Sequence, residues 1–252
     1  MTQRVLITAG ATGIGAEFAR AFAATGARIF TCDIDAAALD ALRDEIPGLQ
    51  TSVCDMSSRA QIERMVPHAI KMLGGLDVLI NNAGIAGPTA PTDAMPPDEW
   101  DRVLTVNITG MFDVTRLAIP ALKQSQAGCI INMSSIAGRL GFINRSPYAA
   151  SKWAVIGFTK TLALELGGNG IRANAILPGA VAGDRIERVF AGRARIANKS
   201  MDEVRADAMA NQSIKQMVDP KDIAQLAVYL ASPAAKAISG QAIPIDNDRQ
   251  KS

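Results

Sequence analysis

The sequence predicts an α/β fold: a Rossmann-like, doubly wound parallel sheet of about seven strands with helices on both faces. Three observations point there. Short β-branched runs alternate with longer segments of helical character, and such alternation gives a parallel sheet covered on both sides. The first strand runs directly into a glycine-rich turn and then a helix, the context in which a pyrophosphate is held. No repeat, linker or low-complexity stretch interrupts the 252 residues. One domain over 1–252 is therefore the economical reading.

The elements follow in order. Val5-Leu6-Ile7-Thr8 is the first strand, and a helix over about 14–25 stops at Gly26. A strand at 28–32 leads to a helix at 36–46, and a third strand covers 50–53. Ser57 is placed to cap a helix that runs to Leu73 and ends at Gly74-Gly75. Val78-Leu79-Ile80 is the fourth strand, followed by one long helical region from Pro97 to about Gln124. Ile130-Ile131-Asn132-Met133 is the fifth strand, 148–166 a helix closed by Gly167-Gly168, and 172–177 the sixth strand. Beyond Pro178 the pattern changes: 183–216 is helical by propensity with no strand inside it. Asp219 as cap, with Pro220 and Asp222 in the first turn, starts a last helix, and 242–245 supplies a seventh strand.

Bulk properties narrow the function. Apolar residues make up 48% of the chain, enough for a full core, and the net charge of +2 comes without a basic run suited to nucleic acid. No apolar stretch has the length of a membrane span, and no signal or transit peptide is expected ahead of the first strand. Cys32, Cys54 and Cys129 lie far apart in or beside apolar runs, which suits buried, reduced thiols in a cytoplasmic protein. The single histidine, His68, has no ligand-like neighbours in sequence and reads as a surface helix residue. No metal site is expected.

Chemistry enters with Tyr148 and Lys152, one helical turn apart. A free phenol ionises near pH 10, so moving it down by about three units takes roughly 4 kcal/mol of differential stabilisation. An ammonium on the same helix face contributes to that, and a bound cofactor's positive ring adds to it. A bare Tyr-x-x-x-Lys is more often an ordinary helix surface, so its weight depends on what surrounds it. At the other end of the argument, Thr8-Ala9-Gly10-Ala11-Thr12-Gly13-Ile14-Gly15 forms the strand–turn–helix entry. Its glycines admit close backbone approach to phosphates, and the helix N-terminus supplies N–H groups. Asp33 ends the second strand at the spacing of a ribose-binding carboxylate. It would repel a 2′-phosphate by about 4 kcal/mol at 4 Å in a surface-like dielectric, and Thr12 and Ile34 bring no offsetting charge. NAD rather than NADP is the expected cofactor; the alternative is that Asp33 merely starts a turn with Asp35.

With these residues the chain resembles the short-chain dehydrogenase/reductase family along almost its whole length. The resemblance rests on the glycine turn, Asp55 after the third strand, Asn81-Asn82-Ala83-Gly84 after the fourth, Asn107, Ser134-Ser135, Tyr148 and Lys152, and Pro178-Gly179. It implies that Tyr148 is the general acid/base and that Lys152 lowers its pKa and holds the nicotinamide ribose. It also implies that Ser135 bonds the reacting oxygen and that Asn107 holds a proton-relaying water. By the same resemblance Gly10, Thr12, Gly13, Ile14, Gly15, Asp33, Asp55, Met56, Asn81, Asn82, Ala83, Gly84, Pro178, Gly179 and Val181 form the cofactor site, Asp55 at the adenine edge. Two departures stand out: Ala9 takes the place of the family's first glycine, and Gly183 that of a threonine near the carboxamide. The C-terminal 244–248 run also lacks the family's frequent Asp-Gly-Gly.

Specificity in such folds lies in loops at the cleft mouth: 86–96, 136–146 and a mobile helical segment at about 183–212. Arg139 and Arg145 precede Tyr148, and Arg185, Arg188, Arg193, Arg195 and Lys199 crowd the last segment against Asp184 and Glu187. An arginine grips a carboxylate with two hydrogen bonds. The expectation is oxidation of a secondary alcohol in a small hydroxy acid or sugar acid, with Arg139, Arg145, Arg185 and Arg188 as substrate candidates. Against it stands the plain reading of these arginines as a solvated face, which leaves an uncharged polyol, sugar or cyclic alcohol as the alternative substrate. A catalytically silent dinucleotide sensor is a further alternative, but it would have no use for Ser135, Tyr148 and Lys152 together. The resemblance also implies a homo-oligomer, tetramer favoured over dimer, with the outer helix faces around 107–124 and 148–166 as interfaces.

Overall fold

The strands are β1 (Arg4–Thr8), β2 (Arg28–Asp33), β3 (Gln50–Val53), β4 (Val78–Asn81), β5 (Cys129–Met133), β6 (Arg172–Pro178) and β7 (Ala242–Ile245). In the computed structural model, which describes residues 2–250, they form one parallel sheet in the order β3-β2-β1-β4-β5-β6-β7. The helices are α1 (Gly13–Ala24), α2 (Ala36–Glu45), α3 (Arg59–Leu73), α4 (Pro97–Leu104), α5 (Gly110–Leu122), α6 (Ser146–Leu166), α7 (Asp184–Ala197), α8 (Met201–Ala210) and α9 (Pro220–Ala231).

The apolar runs in the central strands follow from helices on both faces. Side chains alternate along β1, so Val5 and Ile7 enter one core while Leu6 enters the other. On the first face Phe18 and Phe22 of α1 pack with Ile223 and Leu230 of α9. On the second, Ile62 and Val66 of α3, Val114 of α5 and Leu162 of α6 do so. Both faces are dry, so neither register slip nor a polar strand residue is tolerated without a partner. Asn132 and Asn174 meet this condition, and Asn81 does so through its Nδ2, with its Oδ1 left unpartnered. Asn81 donates to Thr115 Oγ1 and Asn132 Oδ1 (2.9 and 2.8 Å), Asn132 to Thr159 Oγ1, and Asn174 to the Ile238 carbonyl. The strand order reverses around β1 and β4, where a crevice opens beyond the strand C-termini.

Three expectations change. Ser57 does not cap α3; its N–H donates to Asp55 Oδ1 at 2.8 Å in an Asx turn, and Ser58 is the cap residue. The long helix after Pro97 is broken by a π-helical turn, Thr105–Thr109, that carries Asn107 inward. Such a turn adds one residue to the helical ring and arises where a side chain must be re-aimed. The segment after Gly183 is two helices. Asn198 leaves α7 at φ 51°, and Ser200 and Glu203 form a capping box that opens α8. α7 and α8 pack on each other through Phe190, Val204 and Ala208, in a small cluster of their own.

Cys32, Cys54 and Cys129 are buried free thiols. His68 lies exposed on α3, edge-on to Phe30 with ring centroids 5.8 Å apart. No helix among the described residues is long and apolar enough to cross a membrane.

Candidate active site

The crevice is a cleft of about 840 Å3 reached by the C-terminal ends of β1, β2, β5 and β6 and covered by α7. Its floor is the turn between β1 and α1. Thr8 Oγ1 accepts the N–H groups of Asn82 and Ala83 (3.0 and 3.1 Å), and Asn82 Nδ2 donates to the Ala9 carbonyl at 2.8 Å. The end of β4 thereby holds the turn in shape. A Cβ on Gly10 would collide with the Thr31 side chain, and one on Gly15 with the Ala9 carbonyl. Gly13 has φ 53° and open space above it. Thr12 is the cap residue of α1 but makes no side-chain cap bond, which leaves the first N–H groups of the helix available to an anion. These features fit a dinucleotide's pyrophosphate. Ala9, Thr12, Gly13, Ile14 and Gly15 line the cleft, with Gly10 packed beneath.

Ala9 sits at φ 52°, a left-handed conformation that costs an L-residue about 1–2 kcal/mol. Ala9→Gly removes that strain but gives back about 0.4–1 kcal/mol through the unfolded chain. A thermal melt is expected to show Tm unchanged or raised by up to about 4 °C; a clear drop would contradict the strain argument.

Asp33 stands on the cleft wall at the end of β2, its Oδ2 accepting from Ala11 N–H (3.1 Å) and its Oδ1 from Ile34 N–H (2.8 Å). It also accepts from Asp35 N–H at 3.3 Å, so it serves the turn as well as the cleft. Asn82, Gly84, Pro178, Gly179 and Val181 all line the cleft. Gly179 is tightly matched to the tail of the chain, since a Cβ there would lie 2.8 Å from Asp246 Cα. Gly183 has φ 136°; a threonine there would be strained, which gives that departure a backbone reason.

Several candidates lie off the cleft wall. Asn81 points into the core between β4 and α5, because strand alternation turns it away while Asn82 begins the loop. Ala83 is buried with its N–H on Thr8. Asp55 Oδ1 accepts from Ser57 N–H, and Met56 faces a small separate pocket with Arg59 and Asp113. Arg139 is exposed at the end of the Ile136–Gly138 turn and does not line the cleft.

The reacting corner is built from β5 and α6. Ser135 caps the turn after β5, its Oγ accepting from Ala137 N–H at 3.2 Å. Ser134 Oγ donates to the Lys152 carbonyl at 2.7 Å and pins α6 to this turn. Lys152 is buried; its Nζ donates to the Met133 carbonyl at 2.7 Å and lies 5.7 Å from the Tyr148 ring centroid. Asn107 is fully buried, with Oδ1 accepting from Ile85 N–H (2.7 Å) and Nδ2 donating to Ile85 O and Ser151 Oγ (both 3.0 Å). A Cβ on Gly84 would sit 3.2 Å from Asn107 Oδ1 and 3.3 Å from Lys152 Nζ, so both groups face the same bare stretch of backbone.

The electrostatics are unusual. Burial pushes Lys152 down to about 8, partly offset by the Tyr148 phenol and reinforced by Arg185. Burial alone would raise the phenol, but Arg185, Lys152, a hydrogen bond from Ser135, and Arg145 together hold it below its ordinary value. The guanidinium carbons of Arg145 and Arg185 stand 5.0 and 5.8 Å from the Tyr148 ring centroid. Arg145 is 4% exposed, donates Nη2 to the Ala86 carbonyl at 2.8 Å, and has its buried Nε without a partner. Arg185 donates to the Gly84 carbonyl at 3.1 Å, and Arg188 lies on the same wall. Phe142, Arg193 and Arg249 are among the lining residues that the sequence-based candidates leave out. Arg193 was visible as a charge in the segment after Gly183, but nothing local to Arg249 signals a site.

The arrangement presents a depressed phenol, a hydroxyl donor and a cationic surround beside a pyrophosphate cradle. It is suited to moving a proton at an alcohol oxygen next to a bound dinucleotide. Comparison with known proteins agrees. The family model described as enoyl-(acyl carrier protein) reductase matches residues 8–247. A D-beta-hydroxybutyrate dehydrogenase of Cupriavidus necator is 37% identical, with 93% of each chain covered. A 3-oxoacyl-[acyl-carrier-protein] reductase of Thermotoga maritima is 36% identical, with 96% of this chain and 95% of that one covered. Among solved structures, an actinorhodin polyketide ketoreductase with NADPH superposes with TM-score 0.93 at 32% identity, over 98% of this chain and 96% of the other. An NAD+-bound xylitol dehydrogenase superposes with TM-score 0.93 at 29% identity, over 97% and 98%.

Proposed function

The chain belongs to the short-chain dehydrogenase/reductase family, oxidoreductases that act on CH–OH groups with a nicotinamide nucleotide, and we propose that it oxidises the secondary alcohol of a small hydroxy acid or sugar acid with NAD. One observation carries the acid reading: Arg145, buried beside Tyr148, has a guanidinium N–H with no partner. A buried donor left unmatched costs about 1–3 kcal/mol, more when charged, and a substrate carboxylate would match it.

When bound, the nicotinamide supplies the hydride acceptor. Tyr148, favoured as the phenolate by Arg185, Lys152 and Arg145, takes the hydroxyl proton and becomes the neutral phenol. Ser135 donates to the reacting oxygen and keeps it oriented. Lys152 stays in place through its bond to the Met133 carbonyl. Asn107 secures the corner by joining Ile85 to Ser151 and has one Oδ1 lone pair left for a relay water. The fall in Lys152 pKa keeps its proton exchangeable near neutral pH.

Asp33 supports NAD. Asp33→Asn removes the charge that opposes a 2′-phosphate, and the NAD-over-NADP ratio of kcat/KM is expected to fall by about tenfold or more. An unchanged ratio would refute the role given to Asp33. The similarity to a xylitol dehydrogenase favours a second reading, a neutral polyol or sugar alcohol as substrate. Steady-state kinetics on hydroxy acids and sugar acids against their neutral esters, with NAD and NADP in parallel, separates the two; esters that turn over as well as acids would overturn the acid reading.

The one-domain reading extends to the α7–α8 pair as a mobile cover, since that pair packs mainly on itself. Exposed Phe112 on α5 and Trp153 and Leu164 on α6 support a homo-oligomer, tetramer over dimer. Three buried free thiols suit a reducing cytoplasm.

A further inference from the structure

We infer that Arg185 is a positioning residue that ties the closing of α7 to the loss of the Tyr148 proton, because its guanidinium is carried by the cover and stands over the reacting ring only while that cover is down. This rests on the acid/base role proposed for Tyr148 and on α7–α8 as a mobile cover, and it joins the two.

Three cations stand around the ring, and they are held differently. Arg145 is the cap residue of α6 and donates to the Ala86 carbonyl at 2.8 Å; Lys152 lies within α6 and donates to the Met133 carbonyl at 2.7 Å. Both are buried and are fixed with the core. Arg185 is exposed and belongs to α7, yet its guanidinium carbon lies 5.8 Å from the Tyr148 centroid. Its Nη1 donates to the Gly84 carbonyl at 3.1 Å. The Cα of that glycine faces Asn107 Oδ1 and Lys152 Nζ, so the point on which α7 is latched belongs to the reacting corner.

The chain ahead of α7 is fixed, and the joint after it is free. Val218 N–H donates to the Ala180 carbonyl, and Ala182 N–H to the Val218 carbonyl (2.8 and 3.0 Å). Gly183 follows at φ 136° with open space where a Cβ would stand, a place for the chain to pivot. Beyond it Glu187 of α7 pairs with Arg205 of α8 at 2.5 Å, and Phe190 packs with Val204 and Ala208, so the two helices form one body.

Burial raises the phenol, and Arg185 stands first among the groups that lower it, ahead of Lys152, the Ser135 hydroxyl and Arg145. The other charged residues of the cleft wall are Asp33, Asp184, Arg188, Arg193 and Arg249. An exposed guanidinium is screened once water fills the gap, so Arg185 acts fully only with α7 closed. The phenol then loses its proton to water as the cover settles, and the phenolate takes the proton of the bound alcohol. That uptake neutralises the ring oxygen and weakens the hold on α7 when the ketone has to leave. The coupling is reciprocal: the phenolate favours the closed cover by the same factor by which closure favours the phenolate.

Arg185 is exposed, so Arg185→Gln and Arg185→Lys leave the core intact. With saturating NAD, Arg185→Gln is expected to move the acid limb of kcat/KM for alcohol oxidation to higher pH. At neutral pH it lowers kcat/KM by roughly threefold to thirtyfold, and Arg185→Lys, which keeps the charge, recovers most of the loss. A residue that merely held α7 in place would lower kcat/KM at every pH and leave the limb where it is. Hydrogen exchange of α7, with NAD and no alcohol, reads the reciprocal effect. Above the acid limb the wild type is expected to protect α7 roughly threefold or more better than Tyr148→Phe does. Below the limb the two agree, and in an Arg185→Gln background they agree at both pH values. An unmoved limb, or α7 protection that Tyr148→Phe leaves unchanged above it, overturns the inference and leaves the cover standing. α7 amides as protected as those of β4 and β5 would overturn the cover, and wild-type turnover by Tyr148→Phe the acid/base role, each taking the inference with it.

Discussion

Tyr148→Phe lowers kcat by about 10²–10⁴-fold, the range for loss of a positioned acid/base. The ring remains, so its contact with Arg145 and its packing on α6 persist, and only the hydroxyl is lost. NAD affinity, measured by quenching or by protection against thermal unfolding, should stay within a few-fold of wild type. That split is diagnostic, because a misfolded or loosened cleft would lose cofactor as well. Turnover of a good substrate at wild-type rate would remove Tyr148 from the mechanism.

Lys152→Met acts on the same proton from the other side. Three cations hold the phenol down, and Arg185 contributes alongside Lys152. Removing Lys152 therefore moves the acid limb of kcat/KM for alcohol oxidation to higher pH and lowers turnover at neutral pH, without abolishing the limb. A limb that stays in place would show that the arginines alone set the phenol. The substitution has a second readout in stability. Burial lowers Lys152 from 10.5 to about 8 in the folded chain, so between those values the unfolded chain binds more protons. Stability then rises with pH through that window, by an amount on the order of 3 kcal/mol at full effect, and the penalty is complete below about pH 8. The methionine variant has no such group, and its urea-unfolding free energy should lack most of that rise. A wild-type protein whose stability does not increase between about pH 8 and 10.5 would show that Lys152 is not held charged in a dry site.

How far such residues can be read from sequence depends on the range of the interaction that places them. Tyr148 and Lys152 share a helix face by periodicity alone, and Ser135 lies at the end of a strand that its own composition marks. The capping box of Ser200 and Glu203 is local too but does not enter the sequence reading of 183–216, and it divides that segment into two helices. Asn107 was recognisable as a residue but not as part of a π-helical turn, because that turn answers to contacts with Ile85 and Ser151 in other segments. Arg139 and Arg145 looked equivalent in one loop. Arg145 is drawn in by the Ala86 carbonyl, while Arg139 ends its turn facing solvent.

Pattern and local chemistry therefore make legible the fold, the cleft at the strand ends and the placing of Tyr148 and Lys152 on one helix face, since these rest on neighbours within a few residues. The identity of the cleft's far wall has a different origin. Arg249 enters it because the tail pairs with Gln212, and Arg193 because α7 folds over Phe142. Neither pairing leaves a periodic trace, because each joins segments whose contact depends on the folding of everything between them. The charge on that wall is set by that convergence.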